Sequence, residues 1–123
     1  KSSHTLQQEL GVIALIAADE VLLHTVNGLC AKGYSIMQFN NGIDLSAKWT
    51  KSKLNIVAVI SKSEVIGTSG ISLYQALQSK KFPDVPFFIH TDHLNDNLRT
   101  VALKAGIADI FLNKKQNNQY KQG

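Results

Sequence analysis

Charged and hydroxyl-bearing residues follow directly on four short apolar runs of this sequence, and their types and positions are suited to chemistry. They are Ala18-Asp19-Glu20, Lys62-Ser63-Glu64, Thr91-Asp92 and Asn113-Lys114. A carboxylate beside an ammonium forms an ion pair, whereas a hydroxyl grouped with two lysines, as in Thr91, Lys62 and Lys114, binds a small anion such as phosphate or sulfate. These groups form one site if the runs are strands that end at the same edge of a sheet.

Two other kinds of chemistry are not supported by the residues. His4, His24, His90 and His93 lie too far apart or in the wrong pattern for a metal-ligand cluster. Ser61 or Ser63 with His90 lacks a GxSxG turn and a placed acidic partner, so a hydrolase is not indicated. We therefore expect a binding module, not an enzyme.

The composition indicates one packed domain. The 123 residues are 44% hydrophobic and 18% charged, and the basic residues behind the net charge of +4 are scattered, which makes direct nucleic-acid binding unlikely to be the function. No apolar run is long enough for a membrane span. The single cysteine, Cys30, excludes an internal disulfide and favours a reducing cytoplasm. Because the chain begins with Lys1, we expect it to be an excised part of a longer protein.

Short Val-, Ile- and Phe-rich runs alternate with helix-length segments, which predicts βα units and a parallel sheet. The predicted strands are Val12–Ala17, Tyr34–Phe39, Asn55–Ser61, Pro86–His90 and Asp109–Leu112. The predicted helices run from Asp19, as N-cap, to Gly33, and over Ile43–Ser52, Ile71–Ser79 and Leu94–Ala105, with residues 62–70 as a loop. We expect residues 1–10 to be a flexible tail, 11–115 the domain, and 116–123 a polar tail or truncated last helix.

Inward-facing residues are also predicted for the helices from their spacing. In the first helix they are Val21, Leu22, Val26, Leu29 and Cys30; in the others they are Leu45 and Trp49, then Leu73, Ala76 and Leu77, then Leu98, Val101, Ala102 and Ala105. Right-handed crossovers between such units produce an α/β, flavodoxin-like doubly wound sheet of five parallel strands in the order 2-1-3-4-5.

Four motifs, taken in order, resemble those of CheY-like receiver domains of two-component response regulators, and the resemblance covers Val12 to Lys115. They are IAADE, VISK followed eight residues later by Gly70, PFFIHT and ADIFLNK. In that family an acidic pair follows strand one, a phosphate-accepting aspartate ends strand three, and a Ser/Thr and a lysine end strands four and five. The resemblance implies a cytoplasmic module of phosphorelay signal transduction.

This sequence departs from the family pattern at the residues that carry the chemistry. Ala18 stands at the first acidic position and Lys62 at the phosphoacceptor position, while Asp19, Thr91 and Lys114 are retained. Phe111 fills the aromatic switch position. The resemblance therefore implies a degenerate receiver, or pseudo-receiver.

The substitutions change the charge of the pocket. Asp19, Lys62 and Lys114 together leave one net positive charge, which gives Mg²⁺ little reason to bind, so we expect neither cofactor nor metal. A protonated lysine is also a poor nucleophile, which argues against ordinary phosphorylation.

Three questions remain open at this level. Lys62 either replaces the cation beside Asp19 or points into solvent. Glu64 is an alternative acid if the 62–70 loop is shifted by one residue, where it would accept or mimic phosphate. Phe111 is either core or a switch.

The expected partners are proteins: a histidine kinase, another response regulator, a fused effector domain, or a second copy through the face of helix four and strand five.

Overall fold

The computed structural model describes residues 11–52, 54–65 and 68–112. Along the chain the elements are β1 (Gly11–Ile16), α1 (Glu20–Val26), α2 (Gly28–Ala31), β2 (Tyr34–Phe39), α3 (Gly42–Ser52), β3 (Ile56–Lys62), β4 (Glu64–Val65), β5 (Thr68–Ser69), α4 (Gly70–Ser79), β6 (Phe87–Thr91), α5 (Asp96–Ala105) and β7 (Asp109–Leu112).

Five parallel strands form the central sheet in the order β2-β1-β3-β6-β7. Counting the strands of this sheet alone, this is the predicted 2-1-3-4-5 order, so the flavodoxin-like, CheY-like α/β fold is confirmed. All six residues of β1 are buried, as expected for a central strand covered on both faces. β1 ends one residue earlier than predicted, because Ala17 adopts a left-handed conformation with φ of 58°.

The first predicted helix is wrong in its length and in part of its inward face. It is interrupted at Asn27, which separates α1 from the four-residue α2. Leu22 and Val26 are buried, but Cys30 is exposed. Around Asn27 the backbone hydrogen bonds span three residues, from Asn27 to His24 and from Cys30 to Asn27, so a single 3.6-residue period no longer describes which residues face the sheet.

Helices α3 and α4 begin one residue before their predicted starts and carry the larger core. Leu45 and Trp49 of α3 are buried as predicted. In α4, Tyr74 is buried and the predicted Ala76 is exposed. Tyr74 is buried against Phe87, with ring centroids 5.2 Å apart, so the larger side chain occupies the space next to the sheet.

Helix α5 begins at Asp96 and not at Leu94, because the side chain of Asn95 accepts a hydrogen bond from the Leu98 amide as N-cap. Ala102 is buried, whereas Val101 is 45% exposed, contrary to its predicted inward position. The helix ends at Gly106, whose φ of 110° suits a residue without a side chain.

The segment predicted as a loop over residues 62–70 contains a small antiparallel hairpin, in which Glu64 pairs with Ser69 and Val65 with Thr68. Gly70 then donates its amide to the Ser63 carbonyl. A Cβ atom on Gly70 would lie 2.8 Å from the Lys62 carbonyl oxygen. The glycine therefore allows α4 to start directly against the end of β3.

The predicted tail at 1–10 and the polar segment or last helix at 116–123 lie outside the described residues. Within the part of the chain that is described, no helix has the length and hydrophobicity needed to cross a membrane.

Candidate functional site

The ends of β1, β3 and β6 bring four ionisable side chains together at one edge of the sheet. Lys62 is the last residue of β3 and is paired in register with His90 of β6. Asp19 follows β1, and Asp92 follows β6. The parallel order of these three neighbouring strands therefore creates a cluster from residues that are far apart in sequence.

The Lys62 ammonium lies inside this cluster. Its Nζ is 3.0 Å from Oδ2 of Asp19, 3.5 Å from Oδ1 of Asp92 and 3.3 Å from Nδ1 of His90. The side chain is 13% exposed. An ammonium has three protons to donate, and this one faces two carboxylate oxygens and one ring nitrogen. The alternative in which Lys62 points into solvent therefore does not describe this side chain.

Asp19 has two roles, which its two carboxylate oxygens share. Oδ1 accepts the Leu22 amide as N-cap of α1, while Oδ2 accepts from Lys62. Burial by itself raises the pKa of Asp19, but the Leu22 hydrogen bond, followed by the hydrogen bond and charge of Lys62, lowers the pKa below its usual value. The carboxylate is thus held in its charged form.

His90 is 3% exposed and is held in its neutral form. Burial is the main cause of its lowered pKa and the Lys62 charge the second, while Asp19 and Asp92 act in the opposite direction. Nδ1 of a neutral imidazole can accept a hydrogen bond from Lys62 Nζ when the ring proton is on Nε2.

Thr91 belongs to a second, uncharged network beside the cluster. Its hydroxyl accepts from the Ser63 hydroxyl at 3.0 Å and from the His93 amide at 3.1 Å, and it donates to the His93 carbonyl. Both sides of the hydroxyl are thereby satisfied. The network fixes the orientation of Thr91 and joins the start of the β4–β5 hairpin to the loop after β6.

The cluster opens onto a cleft of about 610 Å³ whose walls include Lys62, Glu64, Thr91 and Asp92. Glu64, the alternative acid if the 62–70 loop is shifted, is exposed on β4. The residue at the end of β3 that contacts Asp19 is Lys62. Ala18 is half-buried and brings no charge to the pocket. Lys114 lies outside the described residues.

Phe111 is 45% exposed on β7 and packs against Phe88, with ring centroids 5.6 Å apart. Of the two alternatives for Phe111, simple core does not describe this half-exposed ring, which lies on the edge strand of the sheet.

The sequence places Asp92 at the same strand end as Thr91, but the spacing of the four histidines gives no reason to place His90 at this pocket. The described cluster contains two carboxylates against one ammonium, so the net positive charge expected from Asp19, Lys62 and Lys114 omits one acid. The register of β3 and β6, which pairs Lys62 with His90, brings His90 and the following Asp92 to this pocket.

A divalent cation does not fit this arrangement. Asp19 and Asp92 both face the Lys62 ammonium, which lies 3.0 Å and 3.5 Å from their carboxylate oxygens and already supplies a positive charge to both. Among the described residues, no three or more His, Cys, Asp or Glu side chains are grouped so that they could hold a metal ion.

Several solved structures with a similar architecture are receiver domains. The BeF3-activated N-terminal receiver domain of Klebsiella pneumoniae RstA has 16% sequence identity and a TM-score of 0.68, covering 83% of this chain and 85% of that one. A response-regulator receiver domain from Clostridium thermocellum has 16% identity and a TM-score of 0.68, covering 93% and 100%. Full-length FixJ from B. japonicum has 22% identity and a TM-score of 0.70, covering 94% and 56%.

These likenesses define the class of fold: the chain has the CheY-like fold of response-regulator receiver domains. No protein-family model matches the sequence, and no curated protein sequence matches it. The likeness is thus one of tertiary structure, and the function has to be argued from the pocket.

Proposed function

We propose that this protein is a receiver-like module of two-component signal transduction that acts by binding other proteins and does not depend on phosphorylation. The observation that carries the proposal is the Lys62 ammonium between Asp19 and Asp92. By the resemblance of the VISK motif, Lys62 stands at the position of the phosphoacceptor aspartate.

Lys62 replaces both the acceptor and the cation of an active pocket. A lysine ammonium has no lone pair for attack on phosphorus. The same ammonium supplies positive charge to Asp19 without Mg²⁺. The pocket is thus held in one state, in which no metal and no phosphoryl group is needed.

The Thr91 network supports the same conclusion. By the resemblance, this residue is the Ser/Thr that ends strand four in receivers. Its hydroxyl is already engaged by Ser63 and by both backbone groups of His93. Moving it toward a phosphoryl group would break these hydrogen bonds, each worth about 1 kcal/mol net.

The proposed partner surface is the face formed by α5 and β7, which corresponds to helix four and strand five of the predicted fold. It carries exposed apolar side chains: Val101, Leu103, Phe111 and Leu112. Partners of the expected kind are a histidine kinase, another response regulator, a fused effector domain or a second copy. A cytoplasmic location and the absence of catalytic activity are parts of this proposal.

The test is intact-mass measurement after incubation with Mg²⁺ and a small phosphodonor such as acetyl phosphate. We expect no gain of a phosphoryl group by the protein or by its Lys62→Ala variant. A gain that is lost in Glu64→Gln would establish the alternative, a phosphoacceptor at Glu64. Calorimetry with inorganic phosphate tests the other alternative, a small-anion sensor, which the two carboxylates beside Lys62 disfavour.

A further inference from the structure

The outer face of α3 exposes an apolar stripe that the core does not use. Leu45 and Trp49 face the sheet, whereas Ile43, Ala47 and Thr50 lie along another side of the helix. Ile43 is 77% exposed, the largest exposure among the large hydrophobic residues of the described chain. An isoleucine in this position costs solubility and contributes nothing to the core.

This stripe forms one wall of a shallow trough, and the segment after α4 forms the other. We call it the α3 trough and define it by its lining residues: Ile43, Ser46, Ala47, Thr50, Lys51, Lys80 and Phe82. Ile43, Ala47 and Phe82 give it apolar surface, and the two lysines give it positive charge. The trough is therefore amphipathic, with an apolar strip bordered by positive charge.

A deeper cavity adjoins the trough at Phe82, which lines both. The cavity has a volume of about 230 Å³, and its walls include the aromatic side chains of Trp49, Tyr74 and Phe87. Phe82 stacks on Trp49 with ring centroids 5.0 Å apart. Pockets of this kind, with aromatic walls next to a more open groove, receive the anchor side chains that dominate binding energy in protein interfaces.

The charges around the trough favour an acidic occupant. Lys51 on α3 and Lys80 after α4 line the trough, and Lys48 and Lys81 are exposed in the same two segments. Two acids lie in the same region: Asp44 in the first turn of α3, and Asp84 at the cavity. Because Asp84 lies at the cavity and the lysines border the trough, an uncharged side chain suits the cavity and carboxylates suit the trough.

We propose that the α3 trough and its adjoining cavity bind an acidic peptide segment of a partner protein, which inserts one aromatic or aliphatic side chain beside Phe82. The site is separate from the α5–β7 face, since α3 contacts β1 and β2 while β7 is the opposite edge strand. It does not involve Lys62. The proposal therefore stands or falls independently of the function proposed above.

A peptide fits these observations better than a membrane or a nucleic acid. The cavity is concave and has room for a side chain, whereas a lipid surface calls for a convex or flat apolar face. Four lysines beside two acids form a small positive excess, well below the basic stripe that phosphate backbones require.

The test is selection of random short displayed peptides on the immobilised full chain, followed by affinity measurement of the enriched peptides. Trp49 is the sole tryptophan of the chain and lines the cavity, so its fluorescence reports binding directly. We expect enriched peptides with Asp or Glu around one large apolar residue, and a change in Trp49 emission when they bind.

Two variants separate the trough from other surfaces. Ile43→Ser is expected to weaken binding about tenfold, or about 1.4 kcal/mol, since the variant loses the apolar side chain that a bound peptide would cover. The double variant Lys51→Glu/Lys80→Glu is expected to weaken it at least as much and to reduce its salt dependence. All three positions are exposed, so folding is retained, which circular dichroism checks. Ala31→Ser, at an exposed position of α2 outside the trough and outside the α5–β7 face, is the control and should bind normally.

The proposal is overturned if the enriched peptides have no acidic bias or bind Ile43→Ser as tightly as the unaltered protein. It is also overturned if phosphatidylserine vesicles or duplex DNA bind through the trough while no acidic peptide is enriched.

Discussion

Nζ of Lys62 lies 3.0 Å from Oδ2 of Asp19, although 43 residues separate them in sequence. The pair joins the end of β3 to the N-cap of α1, and Asp92 and His90 complete the surroundings of the ammonium. Lys62, a charged residue at the end of an apolar strand, is thus the cation of an ionic cluster. The consequences can be measured in stability, in pH dependence and in phosphoryl chemistry.

Replacing Lys62 with methionine should lower the free energy of unfolding by about 1 kcal/mol, because Asp19 and Asp92 lose their counter-ion while both remain partly solvated. Asp19 and Asp92 are 41% and 49% exposed, which keeps the loss modest. Urea denaturation measures the difference. Lys48→Met, at an exposed position of α3, is the control and should change stability little; equal losses in both variants would contradict a specific role for Lys62.

Introducing aspartates at positions 18 and 62, where the sequence departs from the receiver pattern, should allow the protein to be phosphorylated. In Ala18→Asp/Lys62→Asp, two new acids join Asp19, which provides the oxygen ligands that Mg²⁺ requires and a carboxylate nucleophile. Intact mass after treatment with Mg²⁺ and acetyl phosphate should show one added phosphoryl group. Ala18→Asn/Lys62→Asn serves as the control and should stay unmodified. A folded double-aspartate variant that binds Mg²⁺ yet never accepts phosphate would count against the assignment of Lys62 to the acceptor position.

Stability should fall as the pH is lowered through about 6.5, the ordinary pKa of histidine. The pKa of His90 is lowered in the folded protein, so the unfolded chain binds a proton first, and acid favours unfolding until the folded-state pKa is also passed. The depressed pKa of Asp19 acts separately: its stabilisation is present above its usual value of 3.8 and is lost at lower pH.

The pH effect is assigned with the His90→Gln variant, measured by urea denaturation between neutral and mildly acidic pH. Its stability should vary less with pH, because glutamine does not titrate. His24→Gln, at an exposed histidine of α1, should retain the pH dependence of the unaltered protein. Loss of that dependence in His24→Gln, and not in His90→Gln, would refute the assignment.

Replacing Thr91 with valine should destabilise the protein by about 1 kcal/mol, because Ser63 Oγ and the His93 amide lose a hydrogen-bond partner in a partly buried setting. Thr91→Ser keeps the hydroxyl and should cost less. Thermal and urea unfolding of the two variants provide the comparison. Equal destabilisation by both would mean that the threonine methyl group, and not the hydroxyl, matters at this position.

Much of the fold could be predicted because its signals are local. The edge strands β2 and β7 have their predicted bounds. The N-cap of α1 follows from Asp19, which stands just before an amphipathic stretch. The errors have local causes that periodicity does not report. Asn27 interrupts the first helix, Asn95 sets a later start for α5, and Tyr74 displaces Ala76 from the interior.

The sequence by itself determined the α/β alternation, the order of the strands and the identity of the residues at each strand end, because hydrophobic periodicity and cap residues are properties of short segments. Only the tertiary structure decided that Lys62 turns toward Asp19, that Asp92 and His90 share its ammonium, and that Thr91 is held by Ser63. A strand end fixes where a backbone stops, but the direction of a long side chain depends on the charges that neighbouring strands place around it.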